Sequence, residues 1–526
     1  MTSADWIDTT IILVYFIGIA GLGIWIGRKS KSFVDYALGN RSIPWWAVLA
    51  SIIAAETSAA TFLGTPAEGF KERSFVYAQL VIGTIIARFV IAYILIKPYY
   101  DYKVQSVYEL LTIRFGTWTK NMASAIFLVS RILGIGVGLY LGGVIFVVIW
   151  RYLFNEEPQL IHYFFGILFV TLLTTIYTAI GGIKAVVYTD FIQAVLMIGS
   201  AICAVFIIYR DIPGGWGTIS DQLQGFKNIR FINLGFQPGD SFASALKSIL
   251  ETPYTIFAAV IASTFFTMAT HGTDQDMVQR LLTVKDYHQS RRSLILSGFA
   301  DIPIVFLFLT IGILLWVFYQ THPDTYLPQA PNELFAYFIV HEMPVVLRGL
   351  IIAGIFATMM GSTSAALNAL ATSFTKDFYI PYFQKDKSEK HIIHVARVAT
   401  AIFGMLMIIV ATAAAYFVLH NPSLTIIPMA LGILGYCYGS LLGVFLLAIL
   451  TKDRGNDRWN VFSMLCGMMA VLILGKINIT ISGCHINFGN LTPDSWPAIS
   501  WPWFVLIGCI FTIGIGYWPK NKISSN

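Results

Sequence analysis

Long apolar stretches run through the whole chain, and short polar loops separate them. We read thirteen of these stretches as membrane helices, because each is long enough to cross a hydrocarbon layer of roughly 30 Å at about 1.5 Å of rise per residue. The predicted spans are 6–27, 43–66, 75–96, 122–150, 160–179, 183–209, 250–273, 293–318, 346–375, 392–419, 424–450, 459–476 and 501–518.

Composition points to the same class of protein. Apolar residues make up 56% of the 526 residues and charged residues only 12%, whereas a soluble domain carries about 25% charged residues. The chain is therefore predicted to be one polytopic membrane domain over 1–526, surrounded by the lipid bilayer and without a soluble domain.

The distribution of basic residues predicts the orientation. Most of the 34 Lys and Arg residues fall on the loops that lie inside if the N-terminus is outside and the C-terminus is cytoplasmic. This multi-pass topology in the plasma or inner membrane also accounts for the net charge of +6, so we predict no nucleic-acid partner.

The second span carries polar residues where a lipid-facing helix has none. Glu56 lies near its middle, beside hydroxyl side chains at Thr57, Ser58 and Thr61. One interpretation is a helix break near 57–60, which frees backbone carbonyls for a cation and a helix N-terminus for an anion. The other is that the hydroxyls bond to the preceding turn or pack helices together. Glu56 favours the functional interpretation, because a carboxylate in lipid is costly.

The ninth span repeats the pattern with smaller residues. Thr358, Gly361, Ser362 and Ala365 share one helical face, so hydroxyl oxygens suited to a hard cation lie beside a glycine that admits another backbone. Taken alone, such a stripe is more typical of helix packing. Two polar-interrupted spans in one chain favour a cation site.

Two ionisable residues inside spans have alternative roles. Arg131 lies in an apolar, glycine-rich segment, where its guanidinium matches either a substrate carboxylate or a structural partner such as Glu56 or Asp190. Asp190 is either an ion ligand or a carboxylate that interacts with a helix N-terminus near the inner surface.

Four ordered motifs give the chain a resemblance to the sodium:solute symporters, and the similarity covers almost its whole length. The motifs are Ala54 to Gly64, Gly181-Gly182 with Tyr188-Thr189-Asp190 and Gln193, Gly272 to Gln275 with Val278-Gln279-Arg280, and Ala357 to Asn368 followed by Asp377. The resemblance implies an all-α fold of the leucine-transporter type, with two inverted five-helix repeats and three extra helices. We therefore expect an extra helix in 1–42, repeats in 43–209 and 250–450, and two extra helices in 451–526.

The resemblance also implies two sodium sites. The first would use Ala54, Thr57, Thr358, Gly361 and Ser362, with backbone carbonyls at 54 and 57. The family commonly has a serine where this chain has Gly361, so the missing oxygen is expected from Thr358, water or Glu56. The second site would use Asp190, Ser362 and Ser364, and Ala365 lacks the hydroxyl that sialic acid transporters have there.

For the solute, the resemblance implies a pocket that binds a carboxylate. Family members that bind sialic acid use the positions matching Ser58, Thr61, Phe75, Gln79 and Arg131, and the arginine holds the carboxylate. Sugar symporters of the family have Glu-Gln where this chain has Ala60-Thr61. Glu56, which those sialic acid binders replace by threonine, completes our predicted substrate-binding set.

The function predicted from the sequence is Na⁺-coupled import of a small organic solute, most readily a carboxylate-bearing one, by alternating access. A neutral sugar or polyol is the alternative solute, and a passive channel is a further alternative. An enzyme is not expected, because the nine histidines lie mostly at span ends or in loops and lack a metal-ligand spacing. The sequence leaves the oligomeric state open.

Overall fold

The structure is a computed structural model, and it describes residues 3–28, 32–154, 156–225, 227, 229–323, 327–328, 331–383, 388–420, 426–481 and 484–520. Helices dominate this part of the chain. They are α1 Ser3–Gly27, α2 Phe33–Leu38, α3 Trp45–Glu56, α4 Thr65–Glu72, α5 Leu80–Val90, α6 Ile96–Asp101, α7 Glu109–Arg114, α8 Thr117–Phe154, α9 Leu160–Asp211, α10 Trp216–Gln222, α11 Phe242–Glu251, α12 Ser263–Gly272, α13 Gln275–Leu281, α14 Tyr287–Thr321, α15 Leu334–Glu342, α16 Leu347–Ser373, α17 Ile380–Phe383, α18 Glu389–His420, α19 Ile426–Leu450, α20 Asp457–Leu474 and α21 Phe504–Gly516.

The multi-pass prediction is confirmed, with a count near the predicted one. Nine helices among the described residues are long and apolar enough to cross a membrane, or ten when one bent pair counts as a single span. The predicted spans 160–179 and 183–209 both lie in α9, which contains a non-helical residue at Gly182 (φ 59°, ψ −165°). The last predicted span, 501–518, contains a shorter apolar helix over Trp501–Gly516.

The predicted break in the second span is present. Helix α3 ends at Glu56, and the chain resumes as a π-helical turn at Ala60–Gly64 that continues into α4. The two halves, Trp45–Glu56 and Ala60–Glu72, are bent by 58°.

A second helix break, which the sequence analysis missed, lies at the end of the seventh predicted span. A π-helical turn at Ala258–Ala262 leads into α12, which ends at Gly272, and α13 begins at Gln275. Asp274 caps α13, because its carboxylate accepts a hydrogen bond from the Asp276 amide at 2.7 Å. The sequence signal for this break is the dipeptide Thr273-Asp274. It was not used, because the predicted span ends at 273.

The predicted all-α fold class is confirmed, and one short pair of strands accompanies the helices. Two strands, β1 Asn478–Ile481 and β2 Cys484–Asn487, pair antiparallel between α20 and α21. Isoleucine and threonine favour extended backbone, and they can adopt it in the loop between α20 and α21. The segment that follows α9 contains two short helices, α10 and α11.

Helix α16 lies at the centre of the molecule and carries the ninth predicted span. Within its most apolar window 94% of residues are buried, whereas in α1 only 22% are. Helix α16 packs most extensively against α9 and also contacts α1, α3, α8 and α18. The helix with the hydroxyl stripe is therefore enclosed by protein, and α1 is left to face lipid. The assignment of two inverted repeats at 43–209 and 250–450 stays a prediction.

Candidate functional site

A cavity of about 320 Å³ opens where the two broken spans meet α16. Its wall includes the break itself, Glu56 to Thr61, together with the α16 residues Met359, Ser362 and Thr363. Helices α5, α8, α12, α14 and α19 supply most of the remaining wall. Because a break leaves backbone groups unpaired inside the protein, this is the place where the fold can bind an ion or a polar solute.

Four of the six predicted substrate-binding residues line this cavity. They are Glu56, Ser58, Thr61 and Arg131. The other two, Phe75 and Gln79, do not belong to its wall and instead contact the outer part of the chain.

Phe75 and Gln79 hold the segment that covers the outer end of α5. The Phe75 ring stacks on Phe231 with a centroid separation of 5.1 Å. The Gln79 amide donates to the Tyr254 carbonyl at 2.9 Å, and its oxygen accepts from the Asn233 amide at 3.4 Å. In this arrangement the two side chains anchor an outer segment, and a role against the solute remains a prediction.

The predicted carbonyl ligands lose their helical donors at the break. The Ser58 amide donates to the Glu56 carbonyl at 3.1 Å rather than to Ala54, and the Thr61 amide donates to the Ser58 carbonyl at 2.9 Å rather than to Thr57. The carbonyls of Ala54 and Thr57 therefore lack the donors that a continuous helix would supply. These oxygens fit the chemistry of a cation site.

Helix α16 approaches the Ala54 carbonyl at Gly361. A Cβ at position 361 would lie 3.4 Å from that carbonyl oxygen, so the two elements meet as predicted. Nearby, the hydroxyls of Thr358 and Ser362 donate to the carbonyls of Ile355 (2.7 Å) and Thr358 (3.1 Å). Since a hydroxyl that donates keeps its lone pairs, both oxygens remain able to coordinate a cation.

The second predicted ion set is brought together around Asp190. The Ser51 hydroxyl donates to one Asp190 carboxylate oxygen at 2.6 Å, and Arg280 lies 3.7 Å from the same oxygen. The other oxygen, Oδ1, is buried without a hydrogen-bond partner. The Ser364 hydroxyl donates to the Gly361 carbonyl at 3.0 Å, which joins this set to the first.

Arg131 binds carboxylates other than the two considered from the sequence. Its Nη1 lies 3.3 Å from Asp274, and its Nη2 binds Asp276. The prediction of Glu56 or Asp190 as a structural partner was wrong, since α8 meets the start of α13 instead. Arg280 binds Asp276 from within α13, so one network connects Arg131 with the second break.

Glu56 belongs to a separate charged cluster that the sequence analysis missed. Arg88 joins Glu56 (2.5 Å) and Asp301 (2.6 Å), and His271 lies 2.5 Å from the second Glu56 oxygen. All four residues line the cavity. The available signal was charge inside predicted spans, because Arg88 lies within 75–96 and Asp301 within 293–318.

Comparison with known proteins gives a consistent result. The model of the sodium:solute symporter family matches residues 36–467. The sodium/sialic acid symporter of Proteus mirabilis is 26% identical over 91% of this chain and 94% of its own length. The sodium/sialic acid symporter of Aliivibrio fischeri is 27% identical over 98% of this chain and 94% of its own length.

A solved structure shows the same fold. A Na⁺-coupled sialic acid symporter, determined in a substrate-bound outward-open state, superposes with a TM-score of 0.79 at 23% identity and covers 98% of this chain and 99% of its own. The expected leucine-transporter-type architecture is thereby confirmed.

Proposed function

Because this chain belongs to the sodium:solute symporter family, we propose that it imports a small organic solute together with Na⁺ by alternating access. The observation that carries the proposal is the contact between the broken α3–α4 span and α16, where the Ala54 carbonyl faces Gly361. Ser362 lies on the cavity wall beside the same break, so ion and solute would share one site.

Coupling follows from that shared geometry. Na⁺ held by Ala54, Thr57, Thr358 and Ser362 would join the broken span to α16, and the joined elements form part of the solute cavity. An ion that binds one arrangement of these helices more tightly shifts the population towards it. We propose that Na⁺ favours the outward-open state and that inward opening then releases both ligands.

For the solute, we propose a carboxylate that also bears hydroxyls, as an acidic sugar does. The relatives named above transport sialic acid, and Arg131 lies on the cavity wall with hydroxyl side chains such as Ser58 and Thr61. The Arg131 guanidinium is engaged by Asp274 and Asp276. A solute carboxylate would therefore share the guanidinium with these two acids, and Arg131 Nε is free of hydrogen-bond partners among the described residues.

The pairing of Arg131 with Asp274 and Asp276 also favours a second candidate solute, a neutral sugar or polyol. The carboxylates of Glu56 and Asp301 are 14% and 17% exposed on the cavity wall, whereas the Arg88 side chain between them is 1% exposed. The accessible charged groups of this cluster are therefore hydrogen-bond acceptors, which suit solute hydroxyls.

We propose that transport is electrogenic, with a second Na⁺ at Asp190, Ser362 and Ser364. A monoanion entering with one Na⁺ moves no net charge, whereas two Na⁺ carry one positive charge inward. Each charge crossing 100 mV gains about 2.3 kcal/mol, or about 40-fold in concentration. The orientation with the N-terminus outside and the C-terminus inside belongs to the same proposal.

Uptake into proteoliposomes tests the function. The purified chain should accumulate a radiolabelled acidic sugar when an inward Na⁺ gradient is imposed, and an equal K⁺ gradient should not support accumulation. Solute uptake that does not depend on the Na⁺ gradient would refute symport and indicate a passive pathway. Inward current on substrate addition would support the two-ion stoichiometry, and its absence for a transported anion would contradict it.

Two variants distinguish the proposed ion site from the proposed solute site. Ser362→Ala should raise the Na⁺ concentration needed for half-maximal uptake, because it removes one proposed ion ligand. Arg131→Ala should abolish binding of carboxylates and leave any binding of neutral sugars. Acid transport that survives Arg131→Ala would refute the assignment of Arg131 as the residue that binds the carboxylate.

A further inference from the structure

The glycine at position 361 lies where three helices approach one another closely. It lies on α16 opposite the end of α3, and the second half of α9 forms the remaining side. A Cβ at this position would lie 3.1 Å from the Gln193 Oε1 atom and 3.4 Å from the Ala54 carbonyl oxygen. Two oxygens from two other helices therefore converge on the volume that a larger side chain would occupy.

The Gln193 oxygen has no hydrogen-bond partner in the described part of the chain. Gln193 is 1% exposed, and its Oε1 atom is buried and unpartnered, while its Nε2 atom lies 3.4 Å from the Tyr15 hydroxyl. Leaving a buried acceptor without a partner destabilises the folded state. A cation bound next to Gln193 Oε1 would supply the partner that this oxygen lacks.

The same helix face presents another unsatisfied oxygen. Asp190 lies three residues before Gln193 on α9, so both side chains project in nearly the same direction, and Asp190 Oδ1 is also buried and unpartnered. Unsatisfied acceptors thus line the contact between α9 and α16, which are two of the helices that hold the proposed ion ligands.

Glu56, which we had considered as the source of the missing ligand oxygen, is already engaged. Arg88 and His271 bind its two carboxylate oxygens at 2.5 Å each. Those contacts direct the carboxylate towards α5 and α12, on which Arg88 and His271 lie, and away from α16.

We infer that Gln193 supplies, through its side-chain oxygen, the Na⁺ ligand that a glycine at position 361 cannot supply. The inference rests on the proposed Na⁺-coupled symport and extends it to a residue on a third helix. Na⁺ would then connect α3, α16 and α9, so that closing the site orders all three.

The test measures Na⁺ affinity without transport. Thermal stability of the purified protein is titrated with NaCl at constant ionic strength balanced by KCl, since a ligand that binds the folded state raises the melting temperature. Gln193→Ala should raise the half-maximal Na⁺ concentration at least about tenfold, equivalent to about 1.4 kcal/mol. Gln289→Ala, the same change at a side chain that bonds Asp286 on its own helix terminus, should leave it unchanged.

A double variant excludes a purely structural role. Gly361→Ser combined with Gln193→Ala places a hydroxyl where the amide oxygen was, and it should recover most of the lost Na⁺ affinity. Gly199→Ser serves as the matched control, because a Cβ there meets no atom within 4 Å. Recovery in the double variant alone supports the inference.

The outcomes distinguish this inference from the proposed function. If the unchanged chain shows no Na⁺-dependent stabilisation or uptake, symport itself fails. If it depends on Na⁺ and Gln193→Ala binds Na⁺ equally well, or the double variant gives no recovery, Gln193 is not a ligand and symport stands. If Gln193→Ala does not yield monodisperse protein, Na⁺ is titrated into the double variant and into Gln193→Glu, which keeps a side-chain oxygen. Na⁺ binding by these two variants would support the inference, and its absence would contradict it.

Discussion

Replacing Arg88 by methionine should destabilise the protein measurably. The Arg88 side chain is 1% exposed, and its guanidinium joins the carboxylates of Glu56 and Asp301 at 2.5 and 2.6 Å. Methionine fills a similar volume and leaves both carboxylates without this cation. Removing one partner of a buried ion pair costs about 3–5 kcal/mol, because the remaining charge is not compensated.

The size of the chain converts this cost into a temperature. An unfolding entropy of about 2.1 cal/mol/K per residue, applied to 526 residues, gives about 1.1 kcal/mol/K. The apparent melting temperature of Arg88→Met should therefore fall by about 3–5 °C. Tryptophan fluorescence during heating in detergent, with monodispersity checked by gel filtration, measures this shift.

The contacts that remain in Arg88→Met predict which second substitution restores stability. Glu56 keeps His271 at 2.5 Å, whereas the ion pair of Asp301 is lost with the arginine. Adding Asp301→Asn to Arg88→Met should therefore recover at least half of the lost stability. Arg291→Met is the matched control on the same helix as Asp301. It removes two cation–π contacts, 4.8 Å from the Tyr93 ring and 5.6 Å from the Tyr287 ring, each worth about 0.5–1 kcal/mol.

Two results would refute this reasoning. Arg88→Met that melts within about 2 °C of the unchanged protein, as expected for Arg291→Met, would mean that the cluster is solvated and contributes little. A double variant no more stable than Arg88→Met would mean that the unpaired Asp301 charge is not the cause.

Two further predictions concern contacts between distant spans. Arg348→Ala should lower the melting temperature by a similar amount, because it leaves the Asp8 carboxylate, 2.6 Å from the Arg348 guanidinium, without its cation and removes this ion pair between α1 and α16. Gly182→Ala should abolish monodisperse protein in gel filtration, since the residue has φ of +59° and a Cβ would lie 2.7 Å from the Tyr36 carbonyl oxygen. Gly199→Ala, where a Cβ meets no atom within 4 Å, should behave as the unchanged protein.

Local composition was sufficient to predict the spans and the first break. Hydropathy over about 20 residues identifies membrane helices because lipid requires every backbone group to be paired within the segment. Glu56 beside Thr57 and Ser58 contradicts that requirement locally, so the break could be placed to within a few residues. The second break escaped because its acid, Asp274, follows the apolar run instead of interrupting it.

Partners of the charged residues could not be predicted in the same way. Arg131 and Asp276 are 145 positions apart in the sequence, and they meet only because α8 lies against the start of α13. A guanidinium in a span predicts that a carboxylate is near it, but not which one. The order in which helices pack decides the partner, and that order is a property of the whole fold.

Charge balance around the two breaks gives the ion a structural role in addition to its transport. Three guanidinium groups pair with five carboxylates, namely Arg88, Arg131 and Arg280 with Glu56, Asp190, Asp274, Asp276 and Asp301. Counted by formal charge, three guanidinium groups and five carboxylates leave an excess of two negative charges in a region of low dielectric constant. Two Na⁺ at the proposed sites would neutralise them, and a solute carboxylate would restore a negative charge. The helices around the cavity are therefore expected to close only after the cations have bound, and this order of events couples the solute to the Na⁺ gradient.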